Sequence, residues 1–299
     1  MHPRLRIIAL VAPLAVALVV TACFNFGATM AGGPLEEGGS PSGLDATFAD
    51  VHVSDDAGHD AGHAAAFCAS FPADAGLVLC DDFDEPSSLP GPYFDIEEEI
   101  EGLLAEVDGG LSPPNALQET TVPLDDGGLI DVALRDNQIF TTLPTLPATM
   151  TFAFNLEPVQ IDTAANAAIV LGAVDFLDAA GDRYSLGLAI NVVSGLPALA
   201  LDEQSGFADG GSSIIAHTLP PNHAPAMNTW SSVVLTIDWT SATTGTASVT
   251  VNGTVDLATF SLTMTVAATS LQVGIGTAYV TQPAPTWELL YDNVWFTVQ

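Results

Sequence analysis

The sequence predicts an all-β protein: a two-sheet antiparallel sandwich carried behind an export signal and a flexible tether. Three observations predict it. From residue 77 to the end, the apolar residues recur with period two. Turn signals punctuate these runs, among them Asn252-Gly253 and Gly181. The first 66 residues show no such alternation and hold one long apolar run, which ends at Cys23.

The chain opens with "MHPRLR", which places Arg4 and Arg6 ahead of the apolar stretch "IIALVAPLAVALVV". A short cationic region followed by such a stretch has the layout of a secretory signal, and the stretch is too short for a spanning helix. Its end, "VTAC", resembles the lipobox of bacterial lipoproteins, although leucine is more usual where Val20 stands. The resemblance implies a signal peptide over residues 1–22 and a diacylglyceryl group on the Cys23 thiol. Ordinary cleavage beside an incidental cysteine is the alternative. Two or three acyl chains would hold the mature N-terminus firmly in a membrane. Phe24 follows, where an aspartate would favour retention in the inner membrane. The expected location is therefore the outer membrane, at its periplasmic face or at the cell surface.

Residues 23–66 read as a lipid-anchored, acidic, flexible linker. "AGGPLEEGGSPSG" and "DDAGHDAGH" are rich in Gly, Ala, Ser, Pro and Asp. Such a composition cannot bury enough surface to offset the entropy of ordering. His59 and His63 lie four apart, the spacing of a zinc pair on a helix, but Gly58 and Gly62 argue against a helix.

The folded domain is expected over residues 67–299. Cys68 and Cys80 are the two cysteines left once Cys23 is lipidated, and in an exported compartment they are expected to pair. The bridge would tie the start of the domain to its first strand, "LVLCDDFD". Next come "ATMTFAFNL", "AAIVLGAVDF", "RYSLGLAI", "LPALALDE", "SSIIAHTL" and "WSSVVLTIDW", which alternate or are β-branched. "TASVTV" and "TVDLATFSL" flank Asn252-Gly253 as a hairpin, and "SLQVGIGTAYV" and "ELLYDNVWFTV" complete the set. Ile100, Leu103, Leu104 and Val107 have helical spacing, but Gly102 among them and "DGGLSPP" after them favour a strand. In "WSSVVLTIDW", Trp239 shares a face with Val233, Leu235 and Ile237, the expected core face. In "YDNVWFTV", strict alternation puts Tyr291, Asn293 and Trp295 on one face and Val294, Phe296 and Val298 on the other. The aromatic face is either a sugar-stacking surface or part of the core.

Charge excludes one class of partner. There are 36 acidic residues against 4 basic ones, and Arg135 and Arg183 are the only basic residues after residue 22. No nucleic-acid partner is expected, because neutralising phosphates needs many Lys and Arg. Divalent cations, basic partners or a saline medium fit this charge better.

Several segments resemble a known family. "LCDDFDE" resembles the first strand of concanavalin A-like jelly rolls, which include laminin G-like modules and laminarinase-type glycoside hydrolases. "NTWSSVVLTID" with "TASVTVNGT" is similar to the laminin G-like pattern of a Trp-led strand and a hairpin. "LLYDNVWFTVQ" is similar to the last strand of the hydrolases, and "GGLSPPNAL" resembles a segment recurring in exported bacterial proteins expected to have this fold. The resemblance implies a jelly-roll topology for the sandwich and a structural Ca²⁺ between the first and last strands. Asp292 stands at the family's matching position, and Asp82 or Asp84 would add a ligand. Hydrogen bonding of Asp292 within a turn is the alternative.

The family's retaining hydrolases carry E-x-D-x-E on one strand, and no mid-chain strand here has it. "FDIEEEIE" is the nearest cluster and lies too early. G-x-S-x-G is absent as well. No catalytic residue is assigned and the expectation leans away from an enzyme. It is a non-catalytic, lipid-anchored module that binds a glycan or another envelope component, with Tyr291, Trp295 and Trp239 as candidate ligand contacts. The alternatives are a polysaccharide-active enzyme of hydrolase or lyase type with a degenerate site, and a structural or protein-adhesion module.

Overall fold

The computed structural model describes residues 67–72, 76–84, 89, 94, 96–100, 102–121, 130–140, 149–161, 168–193, 195–206, 212–218, 224–280 and 286–299. The expected signal peptide, Cys23 and the tether to residue 66 lie outside the described residues. A single 3₁₀ turn, Phe67–Ser70, precedes the strands. These are β1 Leu77–Asp81, β2 Ile96–Ile100, β3 Gly102–Asp108, β4 Asn115–Thr121, β5 Ile130–Phe140, β6 Thr149–Ile161, β7 Ala168–Leu177 and β8 Arg183–Val193. They continue as β9 Leu196–Gly206, β10 Ser212–Thr218, β11 Ser231–Trp239, β12 Thr244–Val251, β13 Thr254–Thr263, β14 Ser270–Val280 and β15 Trp287–Val298.

The strands form two antiparallel sheets, as the period-two pattern predicts. One has the order β13-β12-β11-β6-β15-β4-β3, with β1 also paired to β15, and the other has the order β10-β9-β8-β7-β14-β5-β2. The inner faces of the two sheets make one apolar core. In β11 the alternation reads directly onto burial: Val233, Leu235, Ile237 and Trp239 are buried, and the residues between them are not. Removing each such side chain from water contributes roughly 1.5–3 kcal/mol.

Two local features behave as the sequence suggests. Asn252 and Gly253 have φ of 49° and 75°. That is the left-handed pair a two-residue hairpin needs, and β12 and β13 join there. The segment around Gly102 is extended, but it is two strands: β2 belongs to the seven-stranded sheet and β3 to the other. The chain crosses between sheets at Gly102, where a Cβ would meet Thr120 O at 2.6 Å. Only glycine fits that approach. The expected bridge is present between Cys68 and Cys80, with Cα atoms 5.6 Å apart.

One expectation is corrected. Strict alternation does not run through β15, because its register against β6 shifts between Asp292 and Trp295 and Asn293 has φ of 50°. This is a β-bulge, and its extra residue reverses the side-chain parity beyond it. Tyr291 therefore faces the core together with Val294 and Phe296, all three fully buried, and Trp295 points the other way.

Candidate functional site

The segments that carry the family resemblance meet in one place. On the edge of β15 away from β6, β4 pairs with Glu288–Tyr291 and β1 with Val294–Thr297. Asp292 lies at the seam between these partners, and the loop before β4 fills it. Ser112 donates its backbone N–H to Asp292 Oδ2 (2.7 Å), and the Asn293 N–H donates to Oδ1 (2.6 Å). The Ser112 hydroxyl lies 2.9 Å from Asp292 Oδ1, 3.1 Å from Oδ2 and 2.9 Å from Asn293 Oδ1. One hydroxyl proton thus serves three acceptors. Asp84, just past β1, accepts from the Asn115 N–H at 3.1 Å. Burial pushes the Asp292 carboxyl up to about 6; the bonds from Ser112 and Asn293 pull it down and the charge of Asp84 pushes it further up.

Asp292 is thus hydrogen-bonded within the loop, and a hard cation here would take its oxygens from Asp84 and Asp292. Asp82 stands apart from it: its Oδ2 accepts from the Cys68 N–H at 3.2 Å and so holds the disulfide-closed turn. Among the described residues, no three His, Cys, Asp or Glu side chains gather as a metal cluster.

The three candidate sugar contacts are not one surface. Tyr291 packs beside Phe154, ring centroids 5.9 Å apart, and donates its hydroxyl to Glu119 Oε2 at 2.9 Å. Trp239 packs edge-on against Phe176 at 5.3 Å and near Tyr184 at 6.3 Å, between the sheets. Both rings are core, because the bulge turns Tyr291 inward and the period of β11 turns Trp239 inward; neither presents a face to a sugar. Trp295 alone is part-exposed, and it lies against Phe71, 5.5 Å away, in the stapled turn.

A polar face that the sequence reasoning missed lies on the seven-stranded sheet, on the side away from the core. Ala133 and Arg135 of β5, Gln272 and Gly274 of β14, and Ala173 and Asp175 of β7 line a depression there. Cross-strand pairing extends the face from Asp175 to Ser185 of β8 and Gln204 of β9, and from Ala173 to Gly187 and Asp202. Arg183 Nη1 lies 3.7 Å from Asp175 Oδ2. The stem of Arg135 lies over Gly274, where a Cβ would stand 3.3 Å from it. Arg135, Asp175, Arg183, Ser185, Asp202 and Gln204 are all buried although they point away from the core. Asp175 Oδ1 and Asp202 Oδ1 are buried and receive no hydrogen bond from the protein. Burial pushes the Asp202 carboxyl up to about 6. Both arginines after residue 22 are therefore on one sheet face, over a floor of glycine and alanine. The signal available in the sequence was polar residues at alternate positions in β7, β8 and β9, where a buried face would be apolar.

No family model matches this chain, and no curated protein does. Solved structures do. The endo-β-1,4-glucuronan lyase of Trichoderma reesei is 15% identical, with a TM-score of 0.55 over 74% of this chain and 95% of that one. The endo-1,3-β-glucanase of Streptomyces sioyaensis is 12% identical, with a TM-score of 0.44 over 76% of this chain and 98% of that one. An alginate lyase, Aly36B, solved with alginate trisaccharide, is 14% identical, with a TM-score of 0.42 over 60% and 80%. The likeness to the glucuronan lyase shows the fold and is consistent with a concanavalin A-like sandwich. It also corrects the expectation that leaned away from an enzyme: a solved structure of this fold is a glucuronan lyase.

Proposed function

We propose that this chain cleaves a polysaccharide laid across the outer face of its seven-stranded sheet. The observation that carries the reading is the polar face itself. Buried Arg, Asp, Ser and Gln side chains point away from the core over glycines and alanines, where a purely structural sheet would expose solvated polar groups or bury apolar ones. Polar groups recurring at strand spacing, roughly 4.8 Å, suit the repeated hydroxyls of an extended sugar chain. The glucuronan lyase supports the reading as a fold on which this chemistry occurs.

The same proposal places the protein in a bacterial envelope, anchored through lipid on Cys23, with a structural Ca²⁺ on Asp84 and Asp292. Mass spectrometry of the mature N-terminus tests the anchor: an acylated Cys23 supports it, and an unmodified terminus refutes it. The cleavage test is incubation of the purified full-length protein with glucuronan, alginate, β-1,3-glucan and β-1,4-glucan. New reducing ends on at least one polymer are expected, and ultraviolet absorbance read alongside them tells elimination from hydrolysis. Saturable binding to a polymer that stays intact would overturn the reading.

A further inference from the structure

We propose that Asp175 and Asp202 are the two carboxyl groups of a hydrolytic site, Asp175 as the base that activates water and Asp202 as the acid that protonates the leaving oxygen. The proposal rests on the polysaccharide-cleaving reading above and names its reaction as hydrolysis, not elimination.

The pair is set by strand pairing. Asp175 is in β7 and Asp202 in β9, with β8 between them. Asp175 pairs with Ser185, which pairs with Gln204; Ala173 pairs with Gly187, which pairs with Asp202. The two aspartates are thus two strands across and two residues along from one another, on the same face. At ~4.8 Å per strand and ~3.4 Å per residue, their Cα atoms are about 12 Å apart. Inverting glycosidases need carboxyl groups about 6.5–9.5 Å apart to hold a water, and retaining ones about 5–5.5 Å. Side chains leaning toward each other from 12 Å reach the first spacing, not the second. Between them β8 presents Ser185 and Gly187, both buried, and an added Cβ at Gly187 would touch only Val170, at 3.8 Å. No bulky side chain of β8 therefore separates the two carboxyls.

The environments of the two differ as an acid and a base require. Asp175 is ion-paired with Arg183, and a depression opens beside it. Asp202 has no charged neighbour on its own strand face or directly across: Ala200 and Gln204 flank it along β9, Gly187 faces it from β8 and Ala216 from β10. Burial pushes its carboxyl up to about 6, so it keeps its proton into mildly acidic solution, where an ordinary aspartate has lost it. Each carboxyl also keeps one buried oxygen that no protein group satisfies. Left without a role, such atoms cost stability.

The step balances without a cofactor. The Asp202 carboxyl gives its proton to the glycosidic oxygen as the C1–O bond breaks. Water forms the new bond to C1 from the opposite side and passes its proton to the Asp175 carboxylate. Two hydroxyl-ended fragments leave with inverted configuration at C1, and solvent restores both protonation states. The long side chains of Arg183 and Gln204 must turn aside for the polymer to settle.

The test uses the full-length protein and whichever polymer it cuts. Saturated ends and inversion, read by proton NMR of fresh product, are expected. Asp175→Asn and Asp202→Asn are each expected to lower kcat about 10²–10⁴-fold while still unfolding in one cooperative transition. Asp202→Asn should recover most of its rate on an aryl glycoside whose leaving group needs no proton, and should lose the alkaline fall of the rate profile. Asp202→Ser replaces it if the Asn variant melts early. Unsaturated ends, retained configuration, or variants as fast as the parent would overturn this assignment while leaving polysaccharide cleavage standing. A parent protein that cuts none of the polymers overturns both.

Discussion

Tyr291 owes its role to a residue two places away. With Asn293 in the left-handed region, β15 gains a bulge, and the Tyr291 hydroxyl ends buried against Glu119 instead of at the surface. Removing that hydroxyl in Tyr291→Phe strips a buried carboxylate of a donor, which costs about 1–3 kcal/mol. The loss should appear in urea melts while sugar affinity stays unchanged. Asp292 and Asp202 give a second residue-scale expectation, with a definite sign. Both carboxyls are pushed up to about 6, above the ordinary 3.8. The folded state therefore keeps protons that the unfolded chain releases. The stability this contributes is full below about pH 4 and is lost as pH rises through 6, by on the order of 3 kcal/mol for each group. In EDTA, the stability difference between parent and Asp292→Asn should decline over that window and then level. A constant difference would mean that Asp292 titrates normally.

At the scale of elements, the first and last described strands are tied to each other. β1 pairs with β15, the disulfide holds the 3₁₀ turn to β1, and Trp295 of β15 covers that turn. Closing so short a loop stabilises by roughly 2–3 kcal/mol on the chain-entropy view, so reduction should lower the melting temperature without abolishing the cooperative transition. Ca²⁺ at Asp84 and Asp292 would add a second tie between these strands. Millimolar calcium should raise the melting temperature of the parent and leave Asp292→Asn unmoved, since a ligand of the native state stabilises by mass action. Equal effects of calcium and of sodium at matched ionic strength would remove the ion from the proposal. These elements also show what was legible in the sequence. Period two, Asn252-Gly253 and the cysteine pair are local signals, and local signals carried the sandwich, the hairpin and the staple. The bulge at Asn293 was not legible, because alternation read along one strand cannot reveal an extra residue facing two partner strands. Nor was the Asp175–Asp202 pair. A catalytic motif sought within one strand cannot find carboxylates that only the pairing through β8 brings to one face.

At the scale of the whole molecule, the net charge of −32 governs what can approach and under what conditions. Like charges on a compact body repel, and the repulsion is released on unfolding, so the protein should gain stability as salt screens its surface. The gain should be large at pH 7 and vanish near the isoelectric point of about 4.1. The same field acts on substrates. An anionic polymer is repelled over the whole surface and is received only where Arg135 and Arg183 lie, whereas a neutral glucan meets no such barrier. Initial rates at low substrate should therefore separate the two classes. On a uronate polymer they should climb steeply as sodium chloride rises from about 10 mM to about 0.3 M, because the Debye length contracts from ~30 Å to below ~8 Å. On a neutral polymer they should stay nearly flat. A rate on uronate that falls with salt would mean that the two arginines outweigh the rest of the surface in drawing the polymer in, and that the attraction is local to the polar face.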